Sequence, residues 1–383
     1  MPSSEDSATD VLIVGAGVIG LACGWRVAQR GLEVRVIDRE TPGSGASRVA
    51  AGMLAPVGEA SWGERSLLDL NLASARAYPG FAAELEQASG RPVGYRRCGA
   101  LHVALDRDEA EELHRRHELQ RSLGLGAEWM RPARLRELEP GLSPTCTAGV
   151  LAPEEGEVDP RALVAALVAA SEAAGVEVIA GIEASEAVIE RDRLRGVRTA
   201  DGSELRADHV VLAAGPWSGR TAWLPPDAVP PVRPVKGQVL QLRGPPNGAV
   251  CERIVATERV YVVPRGDGRV AVGATVEERG FELTVTAGGV HELLREAYRV
   301  LPEIAELELT EALAGLRPGT PDNAPLIGPG ELDGLVVATG HYRNGILLAP
   351  ITAEAVAALL AGDEPPPEAA AMAPSRFQRA AAP

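Results

Sequence analysis

The sequence is poor in aromatic residues, which make up only 3% of its 383 positions. Few aromatic side chains leave few surfaces on which bases could stack, so single-stranded nucleic acid is a poorly suited ligand. Positive charge is also in deficit, because the formal net charge is −15. Such a surface repels phosphate backbones and anionic lipids. We therefore expect neither a nucleic-acid partner nor a membrane partner.

Long apolar runs and paired cysteines are missing as well. No apolar segment approaches the roughly 18 residues that would span a bilayer. The first ten residues are polar and acidic, which is not typical of a secretory signal. The four cysteines, Cys23, Cys98, Cys146 and Cys251, are far apart and form no C-x-x-C pair. They are expected to be reduced, buried and structural, in a cytoplasmic protein without a metal site.

A glycine-rich turn near the N-terminus dominates what is present. The apolar run 11–14 leads directly into Gly15, Gly17 and Gly20, and apolar residues then recur at helical spacing up to Gly31. In a dinucleotide-binding turn the first glycine permits the tight turn, the second admits a pyrophosphate and the third lets the helix pack on the strand. The helix N-terminus would then hold the phosphates.

An acidic residue follows at the spacing expected of a ribose-binding carboxylate. Asp38 ends the second predicted strand, 18 residues after Gly20. This strand, helix, strand and acid arrangement favours a bound dinucleotide over an ordinary tight turn. The motif alone leaves open whether the cofactor is NAD or FAD.

A second stretch of small residues, 39–54, comes immediately after the acid. It is rich in backbone N–H groups with little side-chain bulk, so a cofactor can approach the backbone closely. An NAD-binding domain does not need such a segment here, whereas the longer FAD does. An ordinary flexible loop is the alternative.

The rest of the chain predicts a discontinuous architecture. The buried strand 209–214, followed by Gly215, is expected to rejoin the first sheet, and strands within 232–275 form an antiparallel sheet around the turn 266–268. We predict an α/β plus α+β fold, in which a Rossmann-like FAD-binding domain carries an inserted antiparallel-sheet substrate domain. The FAD-binding domain is assigned to residues 10–88, 149–222 and 322–363, the substrate-binding domain to 89–148 and 223–321, and disordered termini to 1–9 and 364–383.

Six motifs spread along the chain carry a family resemblance. They are Gly15–Gly20, Ala50–Met53, Val158–Pro160, Ala213–Ser218, Gly315–Asp322 and Gly340–Pro350. Together they resemble the D-amino-acid-oxidase-like flavoproteins over about residues 10–363. Within that family the chain is most similar to the members that oxidise glycine in thiamine biosynthesis. The last motif is the most specific, since related D-amino acid dehydrogenases and sarcosine oxidases carry different residues there.

The resemblance implies non-covalently bound FAD, a homotetramer, a small amino acid as substrate and dioxygen as electron acceptor. It also leaves open a transfer of the imine product to a thiazole synthase. Where sarcosine oxidases place the cysteine that tethers their flavin, this chain has Gly315. With the glycines of the first turn, the expected cofactor contacts are Gly15, Gly17, Ile19, Gly20, Asp38, Arg39, Ala46, Ser47, Ala51, Gly52, Met53, Ala184, Gly215, His341, Tyr342, Arg343, Asn344, Gly345, Ile346 and Leu347.

The resemblance places the substrate groups on Arg317, Tyr261, Arg343 and Met53. A guanidinium matches the carboxylate of an amino acid in shape and charge. Arg317 is followed by Pro318, which constrains its backbone, and Tyr261 lies in an alternating strand that could present its hydroxyl to a cleft. A structural salt bridge for Arg317 and a core position for Tyr261 are the alternatives.

The expected reaction is hydride transfer from the α-carbon of the neutral amine to flavin N5, followed by reoxidation by dioxygen. Glyoxylate, ammonia and hydrogen peroxide would be the products. Three other functions are consistent with the sequence: a dehydrogenase passing electrons to a quinone or a protein, an oxidase of sarcosine or of larger D-amino acids, and a nucleotide-binding scaffold without turnover.

Overall fold

A computed structural model of the chain describes residues 8–245 and 248–377. The strands are β1 (Thr9–Val14), β2 (Val34–Asp38), β3 (Met53–Leu54), β4 (Ala100–Ala104), β5 (Glu128–Met130), β6 (Ala148–Ala152), β7 (Gly156–Glu157), β8 (Glu177–Ala180), β9 (Ala184–Glu190), β10 (Arg193–Thr199), β11 (Glu204–Leu212), β12 (Arg233–Arg243), β13 (Ile254–Ala256), β14 (Tyr261–Pro264), β15 (Arg269–Gly273), β16 (Glu308–Gly319), β17 (Leu326–Pro329) and β18 (Leu335–Thr339). The helices are α1 (Val18–Ala28), α2 (Ala46–Val49), α3 (Arg65–Ser89), α4 (Arg107–Ser122), α5 (Pro132–Leu138), α6 (Pro160–Ala173), α7 (Ala287–Val300), α8 (Gly345–Ala361) and α9 (Pro367–Ala370).

The first sheet draws its strands from both ends and the middle of the chain. Its order is β17-β18-β11-β1-β2-β8, and the hairpin β9–β10 extends it beside β11. All neighbours from β18 to β8 are parallel, whereas β17 at the edge and the strands of the β9–β10 hairpin pair antiparallel. The pairing of β1 with β11 confirms that the strand before Gly215 rejoins the first sheet.

The two faces of this sheet are covered by separate apolar clusters. On one face, α1, α6 and α8 contact strands of the sheet and α3 packs on α6 and α8, with Trp25 and Leu70 fully buried in this cluster. On the other face, Leu12 and Ile37 pack with the β9–β10 hairpin and Trp223. Burial on both faces explains why β1 and β18 are continuous apolar runs rather than alternating ones.

The second sheet has the order β16-β12-β15-β14-β13-β4-β6-β5. Its longest ladder joins β12 to β16, with Gly237 opposite Gly315 and Val235 opposite Arg317. Helix α7 covers one face of the sheet through Leu293 and Ala297. The resulting combination of a Rossmann-like sheet with a second sheet is the fold class that the sequence predicted.

The second sheet differs from the expectation in two respects. It is mixed rather than wholly antiparallel, because β13 and β4 pair in parallel. It also includes β6, which pairs with β4 and β5. The predicted domain boundary at residue 149 therefore falls inside a strand of the second sheet. The alternating pattern of β6 is too short to show which sheet it joins.

Individual elements also differ from the predictions. The sequence predicts a strand around residues 307–314, and β16 extends to Gly319, so that Arg317 lies within it. It also predicts a helix over residues 61–89 that Pro79 breaks or kinks, whereas α3 continues through Pro79. A closing helix introduced by the segment 340–345 is expected as well, and α8 begins at Gly345.

The described part of the C-terminal segment is ordered, which corrects the prediction of disorder for 364–383. Residues 364–377 contain α9, and Ala369 and Met372 are buried in the core of the first sheet. Arg376 forms an ion pair with Asp322 at 2.8 Å. Residues 378–383 lie outside the described residues, as do residues 1–7 at the other end. Thr9, also predicted to be disordered, already belongs to β1.

The four cysteines form no disulfide. Cys23, Cys146 and Cys251 are buried as expected, whereas Cys98 is only half-buried. Burial raises the pKa of each thiol, in Cys146 to about 11, so the thiolate form is disfavoured. Within the described residues, no helix has the length and apolar character to cross a membrane.

The burial of Met372 yields a first prediction. Met372 is 1% exposed, and its carbonyl accepts a 2.9 Å hydrogen bond from the Ile327 N–H. Replacing Met372 by alanine should lower the free energy of unfolding by about 2–4 kcal/mol, because the cavity left behind is only partly filled. Denaturant unfolding measures the change. The same measurement on Glu364→Ala, at an exposed position nearby, serves as control, and equal stability of the two variants would contradict a packed C-terminal segment.

Candidate active site

A cavity of about 1410 Å³ is lined by residues from both sheets and from the segments that connect them. It extends from the glycine turn after β1, past residues 43–53 of the small-residue segment 39–54, to Tyr261 and Arg317 on the second sheet. An elongated cavity of this kind suits an extended ligand with a small second molecule at one end.

The start of α1 is shaped to hold an anion. Gly15 has φ +114°, and a Cβ there would lie 2.4 Å from the Ala213 carbonyl oxygen. The Val18 N–H is taken by the Ser47 hydroxyl at 3.0 Å. In the described part of the chain the N–H groups of Gly17 and Ile19, two residues that line the cavity, have no acceptor. These two donors and the positive end of the helix dipole are therefore available to a phosphate.

Asp38 lies at the carboxyl end of β2, next to this turn. Its Oδ2 accepts from the Ala16 N–H at 2.7 Å, and Oδ1 accepts from the Glu40 N–H at 2.9 Å. Both oxygens keep a lone pair that can accept from ribose hydroxyls. Arg39 stacks over the Trp217 ring, with its guanidinium carbon 4.5 Å from the ring centroid.

The small-residue segment runs along one side of the cavity. A Cβ at Gly52 would lie 2.0 Å from the Val158 carbonyl oxygen, so only glycine permits this close approach of two chain segments. Arg265, on the turn after β14, anchors the small-residue segment. It donates to the Ala51 carbonyl and pairs with the buried carboxylate of Glu157. The second sheet therefore fixes the position of a segment that belongs to the first.

The segment before α8 closes the cavity on the opposite side. Tyr342 adopts a left-handed conformation with φ +46°, and its N–H donates to the Pro318 carbonyl at 2.9 Å. Asn344 and Gly345 then line the cavity at the N-terminus of α8. Two helix N-termini, those of α1 and α8, consequently contribute partial positive charge to this cavity.

His341 contributes to the cavity wall but is almost completely buried. Its Nε2 lies 3.0 Å from the Thr352 hydroxyl, and 2% of the residue is exposed. Burial lowers the pKa of the imidazole to about 3, so that His341 is neutral at physiological pH.

Arg317 and Tyr261 meet at the second-sheet end of the cavity. Arg317 Nη1 donates to the Thr275 carbonyl at 3.1 Å, and no carboxylate of the described residues forms an ion pair with it. Burial raises the pKa of the Tyr261 phenol, and the positive charge of Arg317 acts in the opposite direction. Gly237 and Gly273 make room for this pair, since a Cβ at either position would lie 2.4 Å from the Arg317 Nη1 or the Tyr261 hydroxyl, respectively.

A carboxylate that the sequence prediction missed lies at the same end. Glu59, on the turn between β3 and α3, lines the cavity. The residue itself is exposed, but the protein atoms that surround it still raise the pKa of its carboxyl, and the positive charges of Arg343 and Arg317 oppose that effect. Nothing in the sequence marks this residue, because it lies in a loop without a recognisable motif.

The structure brings most of the predicted residues together. All four predicted substrate residues line the cavity, as do all predicted cofactor residues except two. Gly20 packs against the turn instead, where a Cβ would lie 1.9 Å from the Gly15 carbonyl oxygen. Leu347 is buried in the core, and its carbonyl accepts from the Ser74 hydroxyl at 2.6 Å. The alternative of a structural salt bridge for Arg317 finds no support within the described residues.

Comparison with known proteins gives the class of protein to which this geometry belongs. Residues 10–359 match the family model described as DAO, FAD-dependent oxidoreductase. The chain is 36% identical to the glycine oxidase of Geobacillus kaustophilus over 353 residues, which cover 92% of each chain. The crystal structure of glycine oxidase from Geobacillus kaustophilus superposes with a TM-score of 0.91 at 34% identity, covering 97% of this chain and 100% of the other.

A longer relative is equally similar. The bifunctional protein ThiO/ThiG of Trichormus variabilis is 36% identical over 375 residues, which cover 97% of this chain but 56% of the relative. The chain thus spans little more than half the length of that protein. These matches show that the chain belongs to the DAO family of FAD-dependent oxidoreductases. It is an enzyme, and its cofactor is FAD.

The described residues fit this cofactor. The free N–H groups at the start of α1 suit the pyrophosphate, Asp38 suits the ribose, and the close backbone approaches at Gly15 and Gly52 leave space that a side chain would occupy. The N-terminus of α8 would face the part of the cofactor nearest to the second sheet.

The burial of His341 makes stability depend on pH. In the unfolded chain a histidine has a pKa near 6.5, whereas the folded value is about 3, so the unfolded state binds the extra proton between these values. Stability therefore falls as the pH drops below about 6.5, by about 2 kcal/mol at pH 5. His341→Gln should remove this part of the loss, which denaturant unfolding at pH 7 and pH 5 measures. His291→Gln, at an exposed position, should keep the full pH dependence of the parent.

Proposed function

We propose that the protein oxidises glycine, and with it sarcosine or small D-amino acids, to glyoxylate or the corresponding oxo acid, releasing ammonia or the amine and passing the electrons to dioxygen as hydrogen peroxide. The observation that carries the proposal is the positive charge at the second-sheet end of the cavity. Arg317 extends into the cavity, and no carboxylate of the described residues lies within ion-pair distance of it. A guanidinium without an ion pair in a half-buried position calls for an anionic ligand.

The substrate carboxylate would be held by Arg317 and by the Tyr261 hydroxyl. The carbonyls of Thr275 and Lys236 accept from Nη1 at 3.1 and 3.4 Å, and the described residues give Nη2 and Nε no acceptor, so these donors are available to a carboxylate. Glycines at positions 237 and 273 leave both side chains in the orientation that this pairing requires.

Arg343 would add a second positive charge to the same end. It extends from the segment before α8, stacked on the Tyr342 ring at 5.0 Å, and it lines the cavity. Met53 supplies an apolar contact on the side of the small-residue segment. A site bounded in this way holds a small amino acid close to the cofactor cradle and orients its α-carbon.

When bound, FAD would supply the electron acceptor for the substrate α-carbon. The protein would hold the carboxylate of the neutral-amine form of the substrate, and the proton lost from the amine would pass to water. The N–H groups at the start of α8 would stabilise negative charge in the neighbouring part of the cavity. No acid–base dyad is needed for these tasks.

The relatives support the substrate class and the pathway. One similar protein is named glycine oxidase, and another is named a bifunctional ThiO/ThiG protein that extends well beyond the length of this chain. A role in thiamine biosynthesis, transfer of the imine product to a thiazole synthase and a tetrameric assembly remain proposals on this basis.

Arg317→Ala tests the carboxylate anchor. Loss of the guanidinium would leave the substrate carboxylate unpaired, and kcat/KM for glycine should fall by about two to four decades, equivalent to about 3–5 kcal/mol. Flavin content, measured by absorbance, should match that of the parent, because Arg317 lies at the substrate end of the cavity. A variant that turns over glycine as fast as the parent would refute the assignment.

The proposed reaction itself is tested by anaerobic titration of the yellow holoenzyme with glycine, followed by admission of air and a peroxide assay. Bleaching and then stoichiometric peroxide are expected. Bleaching without peroxide, together with reduction of an artificial dye, would identify a dehydrogenase instead. A flavin that no amine of a panel bleaches would identify a binding protein without turnover.

A further inference from the structure

Three buried side chains converge on the turn that carries Glu59. Glu155 is 1% exposed, and its Oε1 accepts from the N–H groups of Val57 at 2.8 Å and Gly58 at 2.6 Å. Gln120, on α4, is 2% exposed and donates from Nε2 to the Val57 carbonyl at 3.0 Å. Glu155 thus binds the N–H of Val57, and Gln120 binds its carbonyl. The reaction outlined above uses neither of these two side chains.

His102, on β4, completes the set. It is 7% exposed, and its Nε2 lies 3.8 Å from Glu155 Oε2. A Cβ at Gly58 would lie 2.1 Å from this nitrogen, so the imidazole packs directly against the turn. Buried polar groups of this kind are costly unless they serve a purpose, and Glu155 Oε2, His102 Nε2 and Gln120 Oε1 all lack a partner within the described residues. We call Gln120, Glu155 and His102 the turn clamp.

The turn clamp fixes one charged group in the cavity. The turn closes through a 3.2 Å hydrogen bond from the Glu59 N–H to the Ala55 carbonyl, which orients Glu59 directly after the clamped residues. In the described part of the chain the Glu59 carboxylate has no hydrogen-bond donor or ion-pair partner. The other carboxylates near this end are already engaged, Glu64 with Asn323 and Glu258 with Arg116.

An amino acid whose carboxylate binds Arg317 must place its amine within a few ångströms, because only the α-carbon separates the two groups. The amine needs a hydrogen-bond acceptor there. Gly58, next to Glu59, packs against His102, which lies opposite Ala256 of β13, and Ala256 lies opposite Tyr261 of β14. The strand register therefore places Glu59 at the same end of the cavity as Tyr261 and Arg317. We propose that Glu59 accepts a hydrogen bond from the substrate amine and that the turn clamp holds it in place, so that the site selects amino acids over simple carboxylic acids. This inference rests on the proposed function.

Opposite effects on two ligands test the proposal. Glu59→Gln should raise the KM of the amine substrate about tenfold, because the amide oxygen can still accept a hydrogen bond but no longer carries the charge that strengthens it. The same variant should bind acetate, which lacks an amine, as tightly as the parent or more tightly, because a negative charge near the carboxylate site is removed. Acetate binding is measured as competitive inhibition and as perturbation of the flavin spectrum. A parallel loss of affinity for both ligands, or an unchanged KM, would overturn the proposal.

Glu154→Gln is the matched control, because it removes a carboxylate next to Glu155 that is exposed and pairs with Arg97. It should leave both constants unchanged. If Glu59→Gln fails to fold or to retain flavin, Glu59→Asp serves instead. It keeps the charge but shortens the side chain by one methylene, so the KM of the amine should rise while acetate binding stays constant.

The positioning role of the turn clamp is tested by a double-mutant cycle. Gln120→Met removes the donor to Val57 at nearly constant volume and should raise the KM of the amine severalfold without changing flavin content. In the Glu59→Gln background the same substitution should have no further effect on KM, since it acts through Glu59. If the two substitutions raise the KM additively, Gln120 does not act through Glu59, and the positioning role of the turn clamp is refuted.

The amine used throughout is whichever of glycine, sarcosine and D-alanine the parent oxidises fastest. A parent that oxidises none of the three overturns the proposed function and this inference with it. If the parent oxidises one of the three and the Glu59→Gln variant oxidises it equally well, only this inference is overturned.

Discussion

The candidate active site depends on an arginine that no acid neutralises. Arg317 is held by a backbone carbonyl instead of a carboxylate, which fixes the guanidinium without cancelling its charge. Arg265, behind the small-residue segment, is by contrast paired with the buried carboxylate of Glu157. Because a buried ion pair between protein groups would compete with a ligand, the absence of one at Arg317 among the described residues preserves its affinity for an anion. Gly237 leaves space for the unpaired guanidinium, and the register of β12 with β16 places this glycine beside Arg317.

The two sheets are coupled through the segments that line the cavity. Tyr342, before α8, donates to the Pro318 carbonyl, one residue after Arg317. Arg265, from the second sheet, holds the Ala51 carbonyl of the small-residue segment. Hydrogen bonds therefore connect the second sheet, which carries Arg317, directly to two other segments that line the cavity. In the proposed reaction this coupling would hold the substrate at a fixed position relative to FAD.

The sequence predicts the first sheet and most of the cavity wall because those features have local signatures. The glycine turn, Asp38 and the apolar run of β18 each follow from spacing alone, and the family resemblance located Arg317 and Tyr261. The turn around Glu59 could not be placed, since its position depends on contacts with Gln120 and Glu155, some 60 and 100 residues away. The assignment of β6 to the second sheet and the burial of Met372 are likewise decided by tertiary contacts. Neither has a sequence pattern that distinguishes it from the alternative.

The cradle for FAD is assembled from distant parts of the chain, from Gly15 near its start to Gly345 near its end. During synthesis the ribosome must therefore complete the strand β18 and the first turn of α8 before both helix N-termini face the same space. The nascent chain meets the flavin only after nearly all of its length has been translated. Until then its early hydrophobic strand β1 lacks the neighbour β11 that covers one of its edges, so chaperones have a long interval in which to act on it.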